Sequence, residues 1–171
     1  GNPIREVLDY YSGAIQHSDI LDRLNLTPYQ YIVATAHRAE NVDDPVRLSN
    51  ILAAFETISQ DLPIVFSCHP KTQQRLTQPL GDRIIVSKPM GFFDWANLEL
   101  NSRLAISDSG TVQEEMCLFQ KPTITIRATT ERPETVMCGS NIVSGLETSR
   151  IVDSYHQALT LRNWVIPEEY T

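Results

Sequence analysis

Five short apolar runs, YIVATA (residues 31–36), PIVFSC (63–68), RIIVS (83–87), RLAIS (103–107) and PTITI (122–126), are separated by segments with helical spacing. This alternation leaves few folds open. A strand with one wet face alternates apolar and polar residues, whereas a nearly continuous apolar run suits a strand covered on both faces. Strands of that kind alternating with helices predict an α/β, doubly wound parallel sheet of Rossmann-like type. NIVSG (141–145) reads as a further strand.

The helical segments carry recognisable start signals. NPIREVLDYYSGAIQ (2–16) places Ile4, Val7, Leu8, Tyr11 and Ile15 at helical spacing behind Pro3. DDPVRLSNILAAFETIS (43–59) offers Asp43 or Asp44 as N-cap and Pro45 at the first helical position. Further helices are expected around residues 73–76, over FFDWANLELNS (92–102), after Gly110, near Arg132-Pro133, and from about 148 to 161.

A length of 171 residues suits one domain with a substantial core. The formal charge of −7 and the lack of any Lys/Arg-rich stretch weigh against a nucleic-acid or anionic-membrane partner. No apolar run reaches the roughly 18 residues of a membrane span, and the start lacks a signal-peptide layout, so a soluble cytoplasmic protein is expected. Cys68, Cys117 and Cys138 are too widely spaced for a zinc site and odd in number. They are expected to be small buried side chains. Metal-ligand spacing, a GxxxxGK[ST] loop and a GxGxxG fingerprint are all missing from the sequence, so no metal or cofactor is expected.

Ligands of doubly wound sheets bind at the carboxyl ends of the strands. That rule selects TAHRAEN, CHP, SKPMGFF, SDSGT and IRATTERPE, where the unusual polar chemistry of this chain is concentrated. SDSGTVQEE (107–115) reads as strand end, tight turn and helix start. Capping alone would account for it, since Thr111 and Glu114 have capping-box spacing. The alternative is an anion site in which backbone N–H groups of Ser109, Gly110 and Thr111 and two hydroxyls hold a phosphate or diphosphate. One turn on, a carboxylate of Glu114 or Glu115 could accept from ribose hydroxyls, and Glu115 is favoured because consecutive helical residues cannot both face one ligand. His37 could act as acid, base or phosphate donor, against a local Arg38–Glu40 ion pair and a purely structural imidazole. His69 reads more simply as structural. Phe92, Phe93 and Trp95 could stack on a base but fit the core better.

Together, TAHRAEN, CHP, SDSGTVQEE and IRATTERPETVMCGSN resemble, in order and spacing, the motif series of the non-hydrolysing UDP-N-acetylglucosamine 2-epimerase family. The resemblance implies the C-terminal half of a glycosyltransferase-B type architecture: residues 1–171 would form a single nucleotide-sugar-binding domain whose N-terminal partner domain is absent. It further implies that Ser109, Gly110 and Thr111 bind the diphosphate, Glu115 the ribose, and Arg132 the ligand's charge, with His37 at the catalytic cleft. Arg38 and His69 match positions of a second, regulatory nucleotide-sugar site in some members. The implied chemistry is inversion at C2 of a UDP-N-acetylhexosamine by UDP elimination and re-addition, with a homodimer as the usual assembly of the full-length enzyme. GFFDW, with SDSGTVQEE and ERPETVMCGSN, looks like the branch that makes UDP-N-acetyl-L-fucosamine from UDP-2-acetamido-2,6-dideoxy-L-talose. Thr111, Ala39 and Ala128 stand where many relatives have Gly, a basic residue and Asp. A UDP-sugar glycosyltransferase of the same architecture and a non-catalytic nucleotide-sugar-binding module are the alternatives.

Overall fold

The computed structural model describes residues 3–171. All six expected strands occur, as β1 Ile32–Thr35, β2 Ile64–Ser67, β3 Ile84–Ser87, β4 Leu104–Ser107, β5 Thr123–Thr125 and β6 Asn141–Val143. They form one sheet in the order β3-β2-β1-β4-β5-β6. Each pairing is parallel, with Thr35 in register with Ser67 on one side and Ser107 on the other. The order reverses between β1 and β4, the point at which loops diverge and leave a crevice.

The helices are α1 Pro3–Tyr10, α2 Ser12–Gln16, α3 Ile20–Arg23, α4 Ala39–Val42, α5 Pro45–Ile58, α6 Pro70–Gln73, α7 Phe92–Leu100, α8 Gly110–Leu118, α9 Pro133–Cys138 and α10 Thr148–Ala158. The two-residue period of the strands sorts the core into two layers. Ile32, Ala34, Ile64, Phe66, Leu104 and Ile106 pack with Ile51, Phe55 and Ile58 of α5 and Ile151 and Tyr155 of α10. Val33, Val65 and Ala105 face the other way, onto Leu98 of α7 and Val112 and Met116 of α8. Both faces of the central strands are therefore dry, as the continuous apolar runs require, while Val86 on the edge strand β3 is exposed.

Asp44, not Asp43, caps α5: its Oδ1 accepts from Val46 N at 2.9 Å and Arg47 N at 3.2 Å, with Pro45 at the first position. Replacing Asp44 by Ala is expected to lower stability by about 1 kcal/mol, read as a lower urea midpoint with an unchanged m value. Asp43 is instead paired with Arg75. α9 stops at Gly139, whose φ of 93° suits a residue without a Cβ.

Three helices differ from expectation. Asn2 of the expected first helix lies outside the described residues; the rest divides at Tyr11 into α1 and α2. Ser12 and Gly13 are weak helix formers, and the Tyr11 ring packs on Phe93 at 5.4 Å. The expected helix near 73–76 is met only at Gln73: α6 starts at Pro70, where His69 and Pro70 supply a cap and a first turn, and ends at Gln73. The last helix ends at Ala158 rather than about 161, and Leu161 turns into a cluster with Cys117, Trp164 and Tyr170. There Trp164 Nε1 donates to the Cys117 carbonyl near the end of α8 at 3.1 Å.

Among the described residues, no helix is long and apolar enough to cross a membrane.

Candidate active site at the carboxyl ends of the strands

The crevice side of β1 and β4 is stitched together by small polar groups. Thr35 Oγ1 and Ser107 Oγ lie 2.5 Å apart across the strand pair, and Ser107 Oγ also accepts from Ser109 N at 3.0 Å. Asp108, next in the chain, is fully buried. Its carboxylate accepts from His37 N at 3.1 Å, Arg38 N at 3.0 Å and Asn41 Nδ2 at 3.1 Å. A buried carboxylate is tolerable when donors surround it, and here they come from the loop after the neighbouring strand.

This clamp holds TAHRAEN in place. His37 Nδ1 lies 3.4 Å from Asp108 Oδ1, and its side chain remains about half exposed (54%) toward the crevice. Arg38 does not pair with Glu40: its Nε donates to the Asp108 carbonyl and its Nη2 to Glu131. Glu40 lies instead 3.6 Å from Arg127 Nε. The Glu131 carboxyl, beside Arg127 first and Arg38 after it, is held below the usual carboxylate range.

α8 is capped by Ser109, whose Oγ accepts from Val112 N at 3.5 Å, so the Thr111–Glu114 capping box does not form. The N–H of Ser109 is occupied by Ser107, which leaves those of Gly110 and Thr111 without a protein partner among the described residues. The donors left free at this helix start are thus two N–H groups and the Ser109 and Thr111 hydroxyls, one N–H fewer than the sequence suggests. Gly110 has a second role. A Cβ there would lie 3.2 Å from Cζ and Nη2 of Arg132, so glycine allows the guanidinium to lie over the helix start.

Arg132 is fixed by Glu114, to which its Nε donates. Glu115 turns the other way. It lines an open cavity of about 420 Å³ together with His37, Ser109, Thr111, Phe92 and Trp95. Burial is the main force on Glu115 and pushes its carboxyl up to about 7. Phe92 and Phe93 are 39% and 42% exposed, so the core expectation fails for them: α7 begins at the crevice and leaves its first turn in solvent.

Gln113 is structural. It accepts from Thr130 Oγ1 at 2.5 Å and from Asn141 Nδ2 at 3.0 Å, tying α8 to the loop after β5 and to β6. His69 caps α6, its Nδ1 accepting from Lys71 N at 3.1 Å. Arg38 and His69 both lie outside the lining of the cavity. Cys68 is no nucleophile, since burial pushes its thiol up to about 11. Cys117 is buried and Cys138 only half-buried. A larger cavity, about 570 Å³, lies between α5 and residues 75–80, away from the crevice groups.

The structure therefore brings His37, Ser109, Thr111 and Glu115 to one cavity, with Gly110 and Arg132 beside it. Asp108 and Arg127 went unremarked in the sequence. Asp108 sits inside a quoted motif, but only its long-range partners distinguish it from Ser107 and Ser109.

A parallel sheet with this strand order, with unpaired N–H groups at a helix start and a carboxylate beside its switch point, is an α/β domain of Rossmann-like class. Comparison with known proteins narrows the class. Residues 1–167 match the family model described as UDP-N-acetylglucosamine 2-epimerase, and the chain belongs to that family. UDP-N-acetylglucosamine 2-epimerase of Methanocaldococcus jannaschii is 41% identical over 147 residues, which cover 80% of this chain and 40% of the relative. UDP-2,3-diacetamido-2,3-dideoxy-D-glucuronate 2-epimerase of Pseudomonas aeruginosa is 41% identical over 133 residues, 75% of this chain and 37% of the relative. The crystal structure of the M. jannaschii enzyme in complex with UDP-GlcNAc and UDP superimposes with a TM-score of 0.88 at 35% identity, over 98% of this chain and 49% of that one. A calicheamicin glycosyltransferase shares the fold alone, with a TM-score of 0.59 at 10% identity. The chain spans about two-fifths of the curated relatives and half of the solved chain that it matches.

Proposed function

We propose that this chain is the UDP-holding, C-terminal domain of a two-domain UDP-N-acetylhexosamine 2-epimerase, an isomerase whose N-terminal domain completes the cleft. The observation that carries the reading is the convergence of Ser109, Thr111, Glu115 and His37 on one cavity at the sheet's switch point. The free N–H groups of Gly110 and Thr111, the two hydroxyls and the α8 dipole receive the diphosphate, and Arg132 balances its charge. Glu115, one turn along the helix, accepts from the ribose hydroxyls.

Epimerisation removes the C2 proton and breaks the C1–O bond, whose electron pair leaves with UDP, giving a 2-acetamido-glycal. Re-addition of UDP at C1 and of a proton to the opposite face of C2 completes the inversion. This domain stabilises the departing diphosphate, where preorganised donors act in the transition state. His37, oriented by Asp108, stands at the same cavity and supplies a proton or hydrogen bond to the leaving oxygen. The carboxylates that act at C2 belong to the N-terminal domain. Arg38 and His69 belong to a regulatory second site, and the full-length enzyme works as a cytoplasmic homodimer. The sugar is the 6-deoxy-L-talose derivative, in keeping with GFFDW and SDSGTVQEE. A relative named for a diacetamido-glucuronate substrate fits a family that spans several hexoses. A glycosyltransferase reading has only the fold likeness behind it.

The test is turnover of the full-length enzyme in heavy water, which should place deuterium at C2 of the product. Retained protium would sink the mechanism. Strong turnover of UDP-N-acetylglucosamine alone would reject the talose assignment. The isolated chain should bind UDP by calorimetry, more weakly with Glu115→Gln or Ser109→Ala, and should show no turnover.

A further inference from the structure

Behind the cavity lies a second carboxyl that the proposed chemistry does not use. Glu99 sits in the last turn of α7, is fully buried, and receives a hydrogen bond at neither oxygen from any donor among the described residues. A carboxylate there would face the negative end of its own helix dipole with no compensating donor, which no charged group in a dry site tolerates. The group that acts on it is the Glu115 carboxyl on α8, the helix packed beside α7, and Glu115 raises the Glu99 carboxyl further after burial. Two neighbouring carboxyls in a dry site do not both ionise readily, so one of them keeps its proton.

We propose that Glu99 is a positioning residue: buried and protonated, it donates its carboxyl proton to Glu115 and holds the Glu115 carboxylate toward the cavity as the acceptor for ribose hydroxyls. This rests on the ribose role proposed for Glu115. Glu99 touches no ligand and acts only through Glu115. The arrangement makes nucleotide binding depend on the proton count of the pair.

The other ionisable groups around the pair do not replace this donor. On α8, Glu114 is committed to Arg132. The buried Tyr31 phenol, before β1, donates to the Leu98 carbonyl at 2.6 Å. On α1, Arg5 lies 3.9 Å from Asp9, while Glu6 is exposed. His17 beyond α2 is exposed and bonded to the Gly13 carbonyl, and Arg23 of α3 is held by Asp19 and Asp94. His37 shares the cavity with Glu115, and its Nδ1 lies beside Asp108 rather than the pair.

The sign follows from the charged state that binds. Burial places Glu115 near 7 and Glu99 well above the usual range, so raising the pH ionises Glu115 first. The probe is UDP-GlcNAc, whose diphosphate diester does not itself titrate near neutrality. Its affinity for the wild-type chain should rise about tenfold from pH 6 to pH 8, following the ionised fraction of a group near 7. Glu99→Gln keeps an N–H donor and should keep the affinity within about twofold. Glu99→Leu removes the donor, raises the Glu115 carboxyl further and lowers the affinity at pH 7 about fivefold.

An independent readout needs no ligand. With glutamate carrying a carbon-13 label at Cδ, NMR of the free chain should show two carboxyls titrating above pH 6 in the wild type and one in Glu99→Gln. If every glutamate titrates below pH 5, the pair does not exist and the proposal fails. Equal affinity and pH profile in wild type and Glu99→Leu would remove the positioning role while leaving the pair. A failure of the wild-type chain to bind UDP-GlcNAc, with the two high titrations present, would instead overturn the ribose reading and with it the role assigned to Glu99. Should Glu99→Leu not fold, Glu99→Gln decides through the carboxyl titration.

Discussion

Asp108→Ala should destabilise the chain by about 3–4 kcal/mol, since hydrogen bonds to a charged group contribute roughly 1.5–3 kcal/mol each and several donors lose their acceptor together. The donors are His37 N and Arg38 N from the loop after β1 and Asn41 Nδ2 from α4, and Asp108 is fully buried. For a domain of this size the loss corresponds to a fall in Tm of about 10 °C. Asp108→Asn should be nearly as damaging, because one of its amide hydrogens must face these donors. A Tm within about 2 °C of wild type for both variants would show that the clamp is not what orders the loop.

Arg132→Ala should have the largest effect on function. In the full-length enzyme, on the function proposed, kcat should fall about a hundredfold, the range seen when one preorganised group facing a developing anion is removed. Arg132 also holds Glu114, which is 9% exposed, so the single variant strands a nearly buried carboxylate. The double variant Arg132→Ala/Glu114→Ala separates the two roles. Recovery of stability with turnover still lost assigns Arg132 to the ligand. Recovery of both would make it only the partner of Glu114.

Much of the architecture was legible from local sequence. Apolar runs too continuous for a half-wet strand marked the parallel sheet, and Pro45 and Pro133 stand at the first positions of their helices. Of the two glutamates only Glu115 lines the cavity, since consecutive helical residues diverge by about 100°. Helix ends were misplaced at α6, which runs Pro70–Gln73 rather than 73–76, and at Tyr11 and after Ala158, where side chains pack against elements distant in the chain.

Fold class, the loops that crowd one end of the sheet and the family motifs are thus properties of local sequence, because period, capping and turn chemistry act within a few residues. The consumption of Ser109 N–H by Ser107, the hold of Asp108 on a loop 71 residues earlier and the meeting of Glu99 with Glu115 are decided only when the strands pair and α7 packs beside α8. Hydrogen bonds and proton sharing depend on distances of about 3 Å. No spacing along the chain encodes such distances until the backbone has brought the groups together.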